Sequence, residues 1–296
     1  MKRKSSLPGN PKAQIGIIGG SGLYEMDGLT GLHEVRIKTA FGPPSDALMM
    51  GELEGVSVAF LSRHGRGHRI SPAEINFRAN ILAMKMLGVQ RILSVSAVGS
   101  MKEKIHPGDL VLPDQFFDFT KRRVSTFFEE GVVVHVSFAD PTCPELRRVF
   151  AEAERPSKMT IHEGGVYLCI EGPQFSARGE SLVYRQWGVD VIGMTNATEA
   201  KLAREAEICY VTLALATDYD CWYEGEEAVS VENVIKILHQ NVEAAKQLIR
   251  MAIPKIPFVR TCPCGTALKN AMITAANQIP KKTKDRLRPL LGRYLK

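Results

Sequence analysis

Short apolar runs alternate with longer amphipathic stretches along most of the chain. Seven runs of apolar and β-branched residues predict buried strands, at 15–18, 56–61, 91–97, 110–112, 166–170, 191–194 and 210–216. Apolar residues at helical spacing predict five helices, at 73–87, 144–154, 177–187, 198–206 and 231–249, the last with Ser230 as N-cap. The alternation predicts a single α/β domain, residues 13–255, with a central mixed β-sheet flanked by helices.

The pattern changes after residue 255. Two short helical patterns, at 267–278 and 284–294, are separated by Pro280 and lysines. They predict a short, basic, helical C-terminal appendage that spans residues 256–296.

Positive charge is concentrated at the two ends of the chain. The 38 Lys and Arg outnumber the 32 Asp and Glu, for a formal net charge of +6. Residues 1–12 form a basic tail with four bases, and residues 281–296 hold seven bases and one acid, so 13–280 hold 27 bases against 31 acids. Because the body is acidic, a folded basic groove is not expected, and nucleic-acid binding through the tails is the minor alternative.

The composition is that of an ordinary globular protein. Of the 296 residues, 45% are hydrophobic and 24% charged, which excludes disorder for the body. Apolar runs fall short of the ~18 to 20 residues of a membrane helix, and the basic start lacks a signal-peptide core. We therefore expect a cytoplasmic protein without a membrane partner.

Six cysteines are too few for a disulfide scaffold in a chain of this length. Cys262-Pro-Cys264 could be a redox pair, a strained disulfide or two free thiols. Neither Cys nor His stands near it in the sequence to complete a tetrahedral set, so we expect no metal. A bridge between Cys143 and Cys209 is left open.

Several strand ends are rich in glycine, hydroxyl and basic residues. The first strand runs into Gly19-Gly20-Ser21-Gly22, whose backbone N–H groups could hold an anion. A dinucleotide fingerprint is the weaker alternative, because Glu25 stands where its last glycine is required. A tight turn without a ligand is the third.

The strand at 56–61 is followed by Ser62-Arg63-His64-Gly65. Arg63 offers a planar fork for phosphate oxygens, and His64 adds a donor whose charge can change near neutral pH. A zinc site with His68 is disfavoured by the neighbouring arginines, and a solvated basic turn is the alternative without function. Together with Ser94 to Ser100 after the next strand, the segment predicts a phosphate site at the carboxyl edge of the sheet.

Two further segments suit an aromatic ligand. Phe175 could stack on a flat base and Ser176 could bond to its edge, although a core phenylalanine is the commoner case. Asp218 and Asp220 follow an apolar strand, where the pKa values of paired carboxyls are driven apart and one can act as an acid. A solvated, Asx-capped turn is the alternative.

In order along the chain, these segments resemble the methylthioadenosine phosphorylases of the purine nucleoside phosphorylase superfamily. The matching motifs are Gly19-Gly20-Ser21-Gly22, Ser62-Arg63-His64-Gly65, Glu171-Gly172-Pro173-Gln174-Phe175-Ser176, Met194-Thr195 and Thr217-Asp218-Tyr219-Asp220-Cys221-Trp222. The similarity covers about residues 13–255. Where related sequences commonly have proline, this chain has Thr198, whose hydroxyl could still cap the following helix.

The resemblance implies phosphorolysis of 5′-methylthioadenosine to adenine and 5-methylthioribose 1-phosphate by a trimer or a dimer of trimers. Inorganic phosphate is then a co-substrate, and no cofactor is expected. The implied phosphate ligands are Ser21, Arg63, His64, Ser96, the backbone at Ala97, and Thr195. The implied nucleoside ligands are Met194 under the ribose, Phe175, Ser176, Asp218, Tyr219 and Asp220 around adenine, Val231 and Val234 at the methylthio group, and His135 from a neighbouring subunit.

The chemistry of glycosidic cleavage agrees with these roles. Positive charge develops on the sugar and negative charge on the base, so the site needs an anion near C1′ and a proton donor near N7. Asp218, kept protonated by its apolar strand and by Asp220, is the expected donor to N7. A broad phosphorylase of 6-aminopurine nucleosides such as adenosine is the nearest alternative.

Overall fold

The computed structural model describes residues 12–20, 23, 25–154, 159–224 and 231–295, without the side chains of residues 231–236 and 238. Eleven strands within these ranges form one sheet. They are β1 (Ile15–Gly19), β2 (Leu29–Val35), β3 (Leu48–Leu53), β4 (Val56–Ser62), β5 (Arg91–Ser100), β6 (Leu110–Leu112), β7 (Gln115–Asp118), β8 (Ile161–Glu163), β9 (Val166–Cys169), β10 (Val191–Gly193) and β11 (Cys209–Asp218).

The sheet is mixed, as predicted. Its main path is β2-β3-β4-β1-β5-β10-β9-β7, and β11 pairs with both β5 and β6, which in turn pairs with β8. Strands β4, β1, β5 and β11 pair with one another in parallel, so the carboxyl ends of β4, β5 and β11 lie at the same edge. Strand β10 pairs antiparallel with β5 at Gly99 and Ser100, which places this three-residue strand beside the carboxyl end of β5.

Helices cover both faces of the sheet. Seven α-helices lie in the described ranges: α1 (Phe77–Met86), α2 (Pro144–Ala151), α3 (Arg178–Gln186), α4 (Asn196–Glu205), α5 (Val231–Ala252), α6 (Lys281–Arg286) and α7 (Arg288–Leu291). Helices α1, α4 and α7 share one buried apolar cluster, whereas α2 and α5 contribute to another. In the part of the chain that is described, no helix is long and apolar enough to cross a membrane.

The structure confirms the seven predicted strands and the five predicted helices of the body. The helix predicted from residue 73 begins at Phe77, because the Asn76 side chain accepts a hydrogen bond from the Ala79 N–H and caps the first turn. Ser230, the predicted cap of α5, lies outside the described residues. Thr198 does not cap α4 as predicted, because the helix already begins at Asn196.

The C-terminal segment differs from the appendage that the sequence predicts. Residues 267–278 form turns, a bridge between Val134 and Met272, and a short 3₁₀ turn instead of a helix. Leu268, Leu287 and Leu290 are buried in the same cluster as α1 and α4. The segment is therefore continuous with the core of the body.

Cys262 and Cys264 have further cysteines beside them in the fold, although none stands near them in the sequence, so the expectation that no tetrahedral set could form here is wrong. Distant parts of the sequence bring Cys143 and Cys209 beside them, and the four Sγ atoms lie within 4.8 Å of one another. The four residues are free cysteines in the structure.

Candidate active site

Arg63 lies just beyond the end of β4, where its backbone N–H donates to Gly19 O at 2.9 Å. Its side chain is only 3% exposed and forms an ion pair with Glu199, with Nε 2.5 Å from Oε1 and Nη2 3.1 Å from Oε2. Burial lowers the pKa of Arg63, but the Glu199 carboxylate raises it by more, so the guanidinium stays charged. Arg63 therefore brings a fixed positive charge to the predicted phosphate site.

A buried polar network holds this ion pair in place. Arg63 Nη1 donates to Val95 O at 3.0 Å, and Nη2 donates to Ser94 Oγ at 2.6 Å. Glu199 Oε2 also accepts from the Ser94 and Tyr210 hydroxyls, at 2.7 and 2.9 Å. Since a guanidinium has five N–H donors, one Nη1 proton is left over from these contacts and can meet a ligand.

Ser96 and Ala97 lie on β5 in the same neighbourhood. Ser96 is two residues beyond Ser94 and therefore points to the same face of the sheet. Its Oγ is buried and has no hydrogen-bond partner among the described residues. Because buried polar atoms are rarely left unpaired, the Ser96 hydroxyl is suited to a ligand.

Thr195 is the N-cap residue of α4. Its hydroxyl donates to Asn196 Oδ1 at 3.0 Å and keeps its lone pairs. The first N–H groups of a helix attract anions, so the start of α4 adds donors to the site. Ser21, also predicted for phosphate, lies outside the described residues.

His64 follows Arg63 but is not a cation here. Nδ1 lies 2.8 Å from Ile70 O, and the ring stacks on His68 with centroids 4.3 Å apart. Burial and then the charge of Arg63 lower the pKa of His64 to about 4, which corrects the expectation that its charge changes near neutral pH. Because Nδ1–H donates to a carbonyl, Nε2 is the acceptor nitrogen.

The two predicted carboxyls meet at the end of β11. A Cβ placed on Gly99 of β5 would lie 3.1 Å from Asp218 Oδ1 and 3.3 Å from Asp220 Cβ, so both residues flank this glycine. The Asp220 N–H donates to Asp218 Oδ1 at 2.7 Å. Ser181 donates to Asp220 Oδ2 at 2.6 Å, and burial raises the pKa of Asp220.

Thr217 connects Asp218 to the backbone of β5. Its Oγ1 lies 3.2 Å from Val98 O and 2.7 Å from Asp218 Oδ2. The hydroxyl donates to Asp218 Oδ2, so with the Asp220 N–H each oxygen of this carboxyl has a donor within the protein.

The loop after β9 brings an aromatic and a hydroxyl residue towards these carboxyls. Phe175 is 51% exposed, which excludes the core position that was its alternative. Ser176 Oγ is buried and meets no partner at hydrogen-bonding geometry in the described residues. It approaches the Asp220 carboxyl, where it opposes part of the upward shift that burial causes in the pKa of Asp220. The Ser176 carbonyl accepts from Cys221 Sγ at 3.2 Å, which links the loop to the turn that holds Asp220.

Arg123 joins this loop to the end of β10, and it stands in no motif that would mark it in the sequence. Its Nε donates to Glu171 Oε1 at 3.1 Å, Nη2 donates to Glu171 O at 2.6 Å, and Nη1 donates to Met194 O. Gly172 has φ +65°, and a Cβ there would lie 2.4 Å from Met194 Sδ. Met194 is thus packed under the loop that holds Phe175 and Ser176.

The remaining predicted residues differ in their placement. Tyr219 is 8% exposed, stacks on Tyr223 with centroids 4.5 Å apart, and so serves the wall of the site. His135 is exposed, and its N–H donates to Ala271 O; its described contacts involve none of the other predicted site residues. The side chains of Val231 and Val234 lie outside the described residues.

Sequence reasoning missed the network behind the phosphate site. Asn196 Nδ2 lies 2.9 to 3.0 Å from Ser94 Oγ, Tyr210 OH and Thr212 Oγ1, which share its two protons, and its Oδ1 accepts from Tyr167 OH. Glu199, at the fourth position of α4, gave the one available signal, since it is a carboxylate beside the Met194-Thr195 motif.

Comparison with known proteins agrees with this geometry. Residues 14–254 match the family model of the phosphorylase superfamily. The chain belongs to this superfamily. It is 55% identical to the S-methyl-5′-thioadenosine phosphorylase of Koribacter versatilis, over 96% of this chain and 97% of that protein. It is 56% identical to the enzyme of the same name from Geobacter sulfurreducens, over 95% and 99%.

Solved structures of the superfamily share the fold. A crystal structure of a methylthioadenosine phosphorylase from an Antarctic soil metagenomic library aligns with a TM-score of 0.89 and 52% identity, over 95% of this chain and 99% of that one. The methylthioadenosine phosphorylase of Schistosoma mansoni in complex with adenine aligns with a TM-score of 0.75 and 35% identity, over 83% and 92%.

Proposed function

We propose that this protein is an S-methyl-5′-thioadenosine phosphorylase, a pentosyltransferase of purine and methionine salvage. It cleaves 5′-methylthioadenosine with inorganic phosphate to adenine and 5-methylthioribose 1-phosphate. The observation that supports this most directly is a pair of buried hydroxyls that meet no partner at hydrogen-bonding geometry among the described residues. Ser96 Oγ lies on the face of β5 that holds the Arg63–Glu199 ion pair, and Ser176 Oγ lies beside Asp220. The Ser96 hydroxyl suits a phosphate oxygen, and the Ser176 hydroxyl suits the edge of a base.

Phosphate binds between the ends of β4 and β5 and the start of α4. Arg63 neutralises part of its charge through the Nη1 proton that the network leaves over. Ser96 and the N-terminal N–H groups of α4 add neutral donors, and Nε2 of neutral His64 accepts the phosphate's own proton. Held this way, phosphate is the nucleophile at C1′ and the counter-charge to the developing oxocarbenium ion.

The base lies between Phe175 and the two carboxyls. In this proposal Asp218 carries a proton and transfers it to N7 as the glycosidic bond breaks, so the leaving adenine departs neutral. Asp220 and the Ser176 hydroxyl bond the polar edge of the base. A site that accepts from a 6-amino group leaves polar atoms unpaired with a 6-oxo purine, which disfavours inosine and guanosine.

The sugar rests on Met194, and the 5′ substituent faces the start of α5. Val231 and Val234 at this end would cover a methylthio group but offer no hydrogen bond to a 5′-hydroxyl. One apolar group discriminates by about 1 to 3 kcal/mol, so methylthioadenosine is preferred over adenosine by roughly 10- to 200-fold.

Assembly into a trimer or a dimer of trimers, in the cytoplasm, completes the proposal. Phe117, Phe119 and Trp187 form an exposed aromatic cluster, each between 38% and 51% exposed, with ring centroids 5.3 to 6.3 Å apart. Large exposed aromatic surfaces are typical of interfaces. His135 would meet the site of a neighbouring subunit, and light scattering after gel filtration gives the mass that tests the assembly.

Adenine release from 5′-methylthioadenosine, measured with and without phosphate, tests the activity. We expect release that depends on phosphate and yields one equivalent of the sugar phosphate. Release without phosphate would indicate a hydrolase and contradict the roles of Arg63 and Ser96. Equal kcat/KM for adenosine and methylthioadenosine would instead support the broad 6-aminopurine phosphorylase.

A further inference from the structure

Four cysteines from three distant parts of the chain converge at the edge of the sheet opposite the active site. Cys143 is the N-cap residue of α2, Cys209 begins β11, and Cys262 and Cys264 lie in the C-terminal segment. Cys262 is half-buried and the other three are buried. Asp218 ends the strand that Cys209 begins, and nine residues of strand span about 30 Å, so this cluster takes no part in the nucleoside chemistry.

The spacing of the sulfurs suits a tetrahedral metal ion. A zinc ion bound at about 2.3 Å by four thiolates places each pair of sulfurs about 3.8 Å apart. All the Sγ atoms here lie within 4.8 Å of one another, and Cys209 Sγ is 3.3 Å from Cys262 Sγ. Two disulfides would need two short S–S contacts but would place no restriction on the remaining pairs. Because all four Sγ atoms lie close to one another, their arrangement indicates four ligands around a single ion.

Hydrogen bonds outside the cluster hold the ligand segments together. The Cys143 N–H donates to Tyr210 O at 2.8 Å, and the Cys209 N–H donates to Gln90 O at 3.0 Å. Glu145, in the first turn of α2, accepts from both the N–H and the hydroxyl of Thr261, at 2.9 and 2.7 Å. The thiols are therefore brought to ligating distance by the fold itself.

The surroundings also favour a negative cluster, since four thiolates and a divalent ion sum to −2. Arg91 of β5 is paired in register with Cys209 of β11, so their side chains point to the same face. Arg91 is 3% exposed; its Nη2 donates to Pro257 O and lies 3.4 Å from Glu145 Oε1, whereas its buried Nε has no partner in the described part of the chain. Cys143 caps a helix N-terminus, where negative charge is stabilised.

We propose that Cys143, Cys209, Cys262 and Cys264 bind one zinc ion in a closed structural site. Four thiol protons are released as the four Zn–S bonds form, and no oxidant or reductant is involved. Soft thiolates in tetrahedral arrangement select zinc over the harder divalent ions. The ion ties the C-terminal segment, which adds Leu287 and Leu290 to the core, to α2 and to β11.

Metal analysis of the full chain, purified under reducing conditions from zinc-supplemented cells and without a metal-affinity tag, tests the proposal. We expect one zinc per chain, released in proportion as a mercurial reagent modifies four thiols. Cys264→Ser should retain less than a tenth of the zinc. The matched control is Cys169→Ala, a buried cysteine outside the cluster, which should keep one zinc per chain.

Cobalt substitution of the unaltered sequence gives a second readout that does not require a cysteine variant to fold. Tetrathiolate coordination predicts intense thiolate-to-cobalt charge-transfer bands and the d–d bands of a tetrahedral ion. Protein that contains no zinc and four free thiols would overturn the proposal. So would protein in which thiol titration under denaturing conditions shows these cysteines joined as disulfides.

Discussion

Arg63 and Glu199 place opposite charges in the interior of the protein, 3% and 1% exposed. Burying such a pair gains little over an apolar pair of the same volume, whereas the loss of one partner leaves an uncompensated charge. The cost is understandable if the charge is needed for a ligand. In the proposed site, Glu199 holds the guanidinium so that its remaining donor can meet the phosphate, and Ser94 and Tyr210 satisfy the carboxylate.

Replacement of Glu199 tests this interpretation. Glu199→Gln leaves the Arg63 charge unpaired, and we expect the free energy of unfolding to fall by about 3 to 5 kcal/mol. Urea denaturation of the purified variant measures the change. Glu54→Gln is the matched control, because Glu54 Oε1 lies 2.5 Å from Arg250 Nε while the two side chains are 35% and 47% exposed, so its loss should cost under about 1 kcal/mol. Equal effects of the two variants would contradict the assigned burial of the Arg63 charge.

In the proposed mechanism, the choice of base depends on Asp218. Asp218→Asn replaces the proton donor by an amide, which can donate to a 6-oxo group but cannot transfer a proton to N7. We expect kcat/KM for 5′-methylthioadenosine to fall at least about 100-fold, the range of general acid catalysis, and the relative activity on 5′-methylthioinosine to rise. Steady-state kinetics on both nucleosides measure the preference. If the preference is unchanged, Asp218 does not select the base.

The residues that a sequence can reveal are those in contiguous motifs. Arg63, Asp218 and Asp220 stand beside strand ends and were predicted. Asn196 and Tyr210 were not, because a lone amide or phenol in a sequence has no spacing that distinguishes a buried network from an exposed side chain. Arg123 lies in a stretch without regular secondary structure, so its position under the loop depends wholly on tertiary packing.

Strands and helices could be predicted where burial places apolar residues in a regular pattern along the sequence. Strand β11 is buried along almost its whole length, and the predicted range differs from the observed one by one or two residues at each end. Strand β2 was missed because it lies at the edge of the sheet and its inner five residues are exposed, so it has no apolar run. Strand β8 has only three residues, too few for any period.

Helix α4 also sets a pH dependence at its C-terminal end. Glu205 Oε1 and Oε2 accept from the Thr126 hydroxyl and the Phe127 N–H, both at 2.7 Å, while burial raises its pKa to about 7. The folded state therefore keeps this proton above the pH at which the unfolded chain releases it. A raised pKa stabilises the fold at low pH, and that contribution declines as the pH rises from about 4.5 to about 7.

Glu205→Gln removes this titration. The variant should gain melting temperature relative to the unaltered protein as the pH rises from 5 to 8, and the difference should level off above about pH 7. The full effect corresponds to about 3 kcal/mol at 1.36 kcal/mol per pKa unit. Melting curves at each pH measure it, with Glu152→Gln on the surface as control. A difference that does not vary with pH would contradict the raised pKa.

At the scale of the whole molecule, the basic C-terminal end combines exposed positive charge with apolar residues that pack against the body. Lys281 and Lys282 are exposed, whereas Thr283, Leu287, Leu290 and Leu291 are buried against the body. The exposed lysines, whose charge suggested a polyanion partner, thus stand beside buried residues that stabilise the fold. Deletion of the segment would mix the two contributions, and substitution of the lysines separates them.

The paired variant Lys281→Gln/Lys282→Gln should leave stability within about 0.5 kcal/mol and nucleoside cleavage unchanged, because both side chains are exposed. Deletion of residues 281–296 should lower the melting temperature sharply, since each of the three buried leucines contributes about 1.5 to 3 kcal/mol by removal of apolar surface from water. Calorimetry compares the two proteins. If the lysine variant instead loses a salt-sensitive affinity for single-stranded nucleic acid that the unaltered chain possesses, the basic end binds a polyanion after all.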